Sequence, residues 1–167
     1  MKALSYVVRT RKNSRVEAEI LKLAPVMAKL FPELNGVTLT IINSRSSYHV
    51  ASYEWHSGRI EMNFGFFERD REGTLPFVLA HETMHAVQWM TRSIPHGEKA
   101  CDVFTLARLP VELFPRKKAF YVKVPKRVLS DPSRISESAK KAIYLRSNGL
   151  RRYIMLFEKE LKRQGEP

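Results

Sequence analysis

TLPFVLAHETMHAVQWMT, residues 74–91, is an almost uninterrupted apolar run. The polar residues inside it are His81, Glu82, Thr83, His85 and Gln88. An apolar run of this length predicts a helix that is buried on most sides. Thr74 is a suitable N-cap for this helix, and Pro76 falls in its first turn, where the missing N–H is tolerated.

His81, Glu82 and His85 indicate that this helix carries chemistry. The two histidines are four residues apart, so both imidazoles leave the same face about one turn apart, as two ligands of one zinc ion would. A carboxylate in an apolar interior is costly without a partner, and Glu82 falls beside the metal position, where it can take a proton from a metal-bound water. This HExxH pattern predicts a zinc-dependent peptidase with one Zn²⁺ per chain and Glu82 as the general base.

A catalytic zinc site has three protein ligands and an open position for water. The stretch HGEKACD, residues 96–102, offers candidates for the third ligand. Glu98 and Asp102 are four residues apart on the next predicted helix, so Glu98 could bind zinc while Asp102 accepts a hydrogen bond from a zinc-bound histidine. His96 could bind zinc instead, but we favour Glu98 because a helix holds a ligand more rigidly than a loop. We interpret Cys101 as a small buried apolar residue, although a thiolate there could also bind the metal.

HETMH followed by Glu98-x-x-x-Asp102 resembles the gluzincins, zinc peptidases with the thermolysin-like pattern HExxH...ExxxD. The short gap after His85 is most similar to the small members, the minigluzincins and the ImmA/IrrE peptidases. EKACDVFTLARLP departs from their pattern, since its alanine falls one residue early and a cysteine precedes the acid. The resemblance covers about residues 37–110 and implies an α+β, zincin-like fold, with a small mixed or antiparallel sheet packed on the HExxH helix. The site it implies has a general base, three zinc ligands and a carboxylate beside them: Glu82, His81, His85, Glu98 and Asp102.

Two alternatives remain open. SprT-type peptidases, which process proteins attached to DNA, take their third ligand from a histidine in an H-G loop, and His96–Gly97 is similar to that loop. A non-catalytic protein with a zincin fold could also use the basic residues of its C-terminal part to bind nucleic acid. Retention of Glu82 argues against this second alternative, because a purely structural zinc site has no use for a buried base.

The remaining sequence predicts a strand, a helix and a further strand before the HExxH helix, and helices after it. Ser14 and Glu17 form an S-x-x-E capping box for the first helix. The segment 119–124 predicts a late strand or an extended segment. The other predicted elements are strands at 4–9 and 37–42, a hairpin at 48–64 and a helix at 98–109. The second strand of the hairpin, 59–64, could pair with an extended substrate. Segments 136–146 and 150–163 are predicted as two helices, or as one helix bent near Gly149.

Composition predicts one cytoplasmic domain of 167 residues. Cys101 is the only cysteine, so no intrachain disulfide can form, and we find no signal peptide or membrane-spanning run. We expect a catalytic core at about 37–110 and a basic helical segment at about 111–167. Residues 1–100 carry 13 Lys/Arg and 10 Asp/Glu, a net charge of +3, whereas residues 101–167 carry 16 and 7, a net charge of +9. We therefore expect a peptide or protein substrate and, through the C-terminal segment, nucleic acid. A C-terminal segment that covers the active site is a further hypothesis.

Overall fold

The computed structural model describes residues 2–9, 14–44 and 49–166. Within them the chain is α+β, with a four-stranded mixed sheet and six α-helices, which confirms the predicted class. The chain forms two compact units. The first comprises Met1–Arg71 and Val78–Ile94, and the second comprises Glu72–Phe77 and Pro95–Pro167.

The first unit contains the sheet, whose strand order is β1-β2-β4-β3. Strand β1 is parallel to β2, β2 is parallel to β4, and β3 is antiparallel to β4. The sheet is therefore mixed, and β3 is one of its edges. The elements of this unit are β1 (Ser5–Arg9), α1 (Arg15–Leu30), β2 (Thr38–Asn43), β3 (Ala51–Glu54), β4 (Arg59–Met62), α2 (Phe64–Arg69) and, from Val78 onward, α3 (Leu75–Thr91).

Helix α1 begins where the sequence predicts. The side chain of Ser14 accepts a hydrogen bond from the backbone N–H of Glu17, which satisfies one of the unpaired donors of the first turn. The buried residues of α1 recur at helical spacing and are Val16, Ile20, Leu23 and Met27. Arg15 then joins α1 to α2, because its guanidinium donates to the carbonyl oxygens of Phe67 and Glu68 at 3.1 Å each.

The predicted hairpin is present, but its second strand is shorter than expected. Strand β4 ends at Met62, and Phe64 begins helix α2 instead of continuing the strand. Asn63 explains the change, because its side chain accepts a hydrogen bond from the N–H of Phe66 and so caps the helix. The expectation that the strand runs to Phe64 was wrong. The predicted start of the hairpin at Tyr48 lies outside the described residues.

The second unit is helical. Its main elements are α4 (Glu98–Arg108), α5 (Pro132–Ser147) and α6 (Tyr153–Gln164), together with a short 3₁₀ helix at Val111–Leu113. Helix α5 begins four residues before the predicted Ser136, because Asp131 accepts a hydrogen bond from the N–H of Arg134 and Pro132 occupies the first turn. Segment 119–124 is not a strand, and it bends at Tyr121 and Val122.

The core of the second unit comes from one face each of α5 and α6 and from the middle of α4, where residues 100–106 are all buried. The buried residues of α5 and α6 recur at helical spacing. The largest contributions are Val103 and Leu106 from α4, Ile135 and Ala139 from α5, and Tyr153, Phe157 and Leu161 from α6. Phe120, in segment 119–124, packs edge-on against Phe77 with ring centroids 4.9 Å apart.

Helix α3 is apolar along most of its 17 residues. It begins at Leu75, directly after Thr74, so Thr74 occupies the N-cap position that the sequence predicts. Among the helices of the described residues, none is both long enough and apolar enough to cross a bilayer.

Candidate metal centre

Helix α3 buries the polar residues at its centre. His81 is 4% exposed and Glu82 is 6% exposed, while His85 is half-buried. Burying ionisable groups in an apolar helix is costly unless they bind a partner or an ion. The HExxH residues are thus held in the environment that the sequence predicts for them.

The two imidazoles lie side by side on one face of α3. Their ring centroids are 4.9 Å apart and their planes are nearly perpendicular, at 84°. This arrangement follows from the four-residue spacing of His81 and His85, which places both rings on one face about a turn apart. Two imidazole nitrogens from a single helix turn are a suitable donor set for zinc.

Gln88 fixes the orientation of the second histidine. Its side-chain oxygen Oε1 is 2.8 Å from Nδ1 of His85, and since Oε1 is an acceptor, Nδ1 carries the proton and donates it. In this tautomer Nε2 of His85 is the acceptor nitrogen, the one that a metal ion would bind. Gln88 itself is fully buried. The sequence showed Gln88 only as a polar exception in the apolar run; its position three residues after the second histidine of HExxH was the signal for this contact.

A hydrogen bond joins the same helix to the sheet. The hydroxyl of Thr83, between the two histidines, donates to the carbonyl oxygen of Leu79 at 2.7 Å and accepts from the hydroxyl of Tyr6 at 2.8 Å. Tyr6 lies on β1 and is buried, and burial raises the pKa of its hydroxyl above the ordinary value near 10. The bond therefore fixes the rotation of α3 on the sheet at the level of the HExxH residues.

Trp89 continues the histidine face by one turn. It lies four residues after His85 and stacks on Trp55, in the turn between β3 and β4, with centroids 4.6 Å apart and planes at 9°. The two indoles remain 41% and 48% exposed, respectively. The stack holds the hairpin turn against the C-terminal half of α3 and presents an aromatic surface next to the histidines.

The candidates for a third ligand lie at the start of α4 and differ in burial. Glu98 is the first residue of the helix and is exposed, and His96, two residues earlier, is also exposed. Cys101, one turn into the same helix, is fully buried, as expected for a small apolar residue. Gly97 occupies the N-cap with φ of 109°, a conformation that favours glycine.

Asp102 has a clear structural partner. Its Oδ2 accepts hydrogen bonds from the backbone N–H groups of Tyr121 and Val122, the latter at 2.9 Å. Asp102 is fully buried, and charge-assisted bonds of this kind offset the cost of burying a carboxylate. The side chain thus holds segment 119–124 against α4, while its expected hydrogen bond to a zinc-bound histidine stays a prediction.

Comparison with known proteins returns no match: neither a family model, nor a curated protein, nor a solved structure is significantly similar to this chain. The features of this chain that bear on its function are therefore the HExxH residues and the groups that contact them. These are the buried Glu82, the paired imidazoles of His81 and His85, and the hydrogen bond from His85 to Gln88.

Proposed function

We propose that this chain is a zinc-dependent peptidase with a zincin-like active site. His81 and His85 hold the zinc, and Glu82 is the general base. The observation that carries the proposal is the pairing of two imidazoles on one buried face of α3, with the second ring oriented by Gln88. The donor chemistry fits zinc, because neutral imidazole nitrogens with a fixed tautomer are among its preferred ligands.

The buried position of Glu82 suits proton transfer. Zinc, when bound, would polarise the scissile carbonyl and acidify a water molecule. Glu82 follows His81 directly and is 6% exposed, so the proton that it accepts from the attacking water is shielded from bulk solvent. The carboxylic acid then returns this proton to the leaving amine, which completes hydrolysis of the peptide bond.

The resemblances on which the proposal draws differ in the third ligand. The gluzincin resemblance assigns this role to Glu98, and the SprT resemblance assigns it to His96. Cys101 on α4 is a third candidate and, unlike Glu98 and His96, it is buried. A thiolate is a strong zinc ligand, and zinc binding would deprotonate the thiol.

An extended peptide is the substrate form that the first unit best accommodates. The strand predicted to pair with a substrate, β4, lies between β2 and β3 and has both edges paired, so that expectation was wrong. Strand β3 (Ala51–Glu54) is an edge of the sheet and offers one row of backbone groups for pairing with an added strand. The turn that follows β3 carries Trp55, which stacks on Trp89 one turn beyond His85. A substrate strand on β3 would thus run towards an aromatic surface on which an apolar side chain can pack.

Zinc content measured by elemental analysis tests the metal site. We expect about one zinc per chain in the wild type and its loss in His81→Ala, because two protein ligands do not retain the ion. The same measurement is made on Glu98→Ala, His96→Ala and Cys101→Ser. The third ligand is the residue whose replacement also removes the zinc. A wild type that binds no zinc even when zinc is supplied would contradict the proposal.

Cleavage of labelled casein tests the chemistry. We expect Glu82→Gln to keep its zinc and to lose activity by about 10²–10⁴-fold, because glutamine is close to glutamate in size but cannot accept the proton. The zinc content of the same preparation is the control for folding. Equal cleavage by Glu82→Gln and wild type would show that the activity does not belong to this site.

A further inference from the structure

Two adjoining grooves in the second unit are rich in basic side chains, which make up 7 of their 13 lining residues. Their volumes are about 440 and 460 Å³, and they meet at Lys118 and Val124. We call their cationic lining the basic groove. It consists of Arg116, Lys117, Lys118, Lys123, Lys126, Lys159 and Lys162, all of which are exposed.

Acidic side chains are scarce in the lining of the basic groove. Glu158 is the only acid among its lining residues, and its Oε1 lies 2.6 Å from Nζ of Lys99 and accepts the backbone N–H of Lys123 at 3.0 Å. At the rim, Lys162 approaches the exposed Glu166 at 3.8 Å, a distance at which an exposed pair contributes little. Cations concentrated in a concave surface attract a ligand with many negative charges.

The backbone beneath the basic groove is held in place. Asp102 fixes Tyr121 and Val122, and Glu158 fixes Lys123. Gly165, at the end of α6, approaches Pro125 so closely that an added Cβ would lie 3.1 Å from the proline ring. The lysines are thus presented from an ordered surface, which lowers the entropy cost of binding.

An anionic membrane fits these observations less well than nucleic acid. A helix that inserts into a bilayer needs an exposed apolar face, but α6 buries Tyr153, Phe157 and Leu161 in the unit's core. Met155 is the one large exposed apolar side chain among the lining residues. The lining also includes no aromatic ring, so it offers no platform for stacking unpaired bases.

We propose that the basic groove binds the phosphate backbone of double-stranded nucleic acid without reading its base sequence. Lysine and arginine side chains supply point charges and donors to phosphate oxygens, which position a duplex but carry no sequence information. This function is independent of the proposed zinc site, since no ligand candidate lines the groove.

Fluorescence anisotropy of a labelled duplex of about 20 base pairs, titrated with the full chain from about 50 to 200 mM salt, tests the proposal. We expect affinity to fall steeply with salt, with a log–log slope of about −4 to −5 if five phosphates are neutralised. Combined Lys118→Ala, Lys126→Ala and Lys159→Ala should make the slope shallower by about 3, because each phosphate contact contributes about one unit.

A matched control removes three exposed cations of the same unit that lie outside the groove. Combined Lys140→Ala, Arg151→Ala and Arg152→Ala should leave the slope close to that of the wild type. If the two triple variants reduce the salt slope equally, the proposal is overturned in favour of diffuse charge attraction. Tighter binding to a single strand than to the duplex, or to phosphatidylserine vesicles with no duplex binding, would overturn it as well.

Discussion

Helices α3 and α4 each bury a carboxylate in an apolar surrounding, and the two carboxylates have different neighbours. Asp102 on α4 accepts two backbone N–H groups of segment 119–124, so its charge stabilises the fold. Glu82 on α3 adjoins His81, whose ring packs against that of His85. A buried acid is therefore not evidence of catalysis by itself. Backbone donors around it indicate a structural role, and imidazoles on its helix indicate a metal site.

The comparison predicts the largest effect on stability at Asp102. Replacing it by alanine leaves the N–H groups of Tyr121 and Val122 without their acceptor, so Asp102→Ala should lower the free energy of unfolding by about 3 kcal/mol. Asp102→Asn keeps one neutral acceptor oxygen and should lose less. Urea denaturation measures both, with zinc content determined in parallel. Loss of zinc at unchanged stability would instead assign Asp102 to the metal site.

Substitutions at Gln88 test the metal site proposed on α3. Gln88→Ala removes the acceptor for Nδ1–H of His85 and should weaken zinc affinity by about 10–100-fold, because the ring loses its fixed tautomer and orientation. Gln88→Glu retains an acceptor oxygen and should keep most of the affinity. Competition with a chelator of known strength measures the difference. Equal weakening in both variants would mean that Gln88 acts through packing only.

Tyr6 gives the smallest expected effect. Tyr6→Phe removes one hydrogen bond to Thr83 and should lower the free energy of unfolding by about 1 kcal/mol at neutral pH. Burial raises the pKa of Tyr6, so above about pH 10 the unfolded chain releases the phenol proton while the folded chain retains it, and stability falls as pH rises. Phenylalanine has no such proton.

The stability difference between wild type and Tyr6→Phe should therefore shrink above about pH 10. Thermal unfolding of both proteins across this range measures it. If the stability of the two proteins changes with pH in the same way, the hydroxyl of Tyr6 is accessible to water in the folded state.

Local signals in the sequence predicted much of this fold. The apolar run around HETMH predicted α3 within one residue, and Ser14 predicted the start of α1. The wrong end of strand β4 and the wrong start of helix α5 also have local causes. Alternating side chains up to Phe64 were interpreted as strand although Asn63 is a helix cap, and the Asp131–Pro132 start of α5 was passed over.

Long-range partners could not be predicted in the same way. The parallel pairing of β1 with β2 and of β2 with β4 depends on contacts between segments far apart in the chain, which periodicity does not encode. The role of Asp102 is similar, because its partners lie 19 and 20 residues later in a segment with no regular structure. At the candidate site, HExxH predicted the residues of α3, but the exposure of Glu98, the expected third ligand, was not predicted.

The hydrogen bond between Tyr6 and Thr83 also bears on the order in which the chain folds. Its two residues are 77 positions apart, whereas the β3–β4 hairpin closes within residues 51–62. Closing a longer loop costs more entropy, so we expect the hairpin to form early and the contact between β1 and α3 to form late. The face of α3 that carries the two histidines would then gain its final orientation near the end of folding, after β1 has packed against α3.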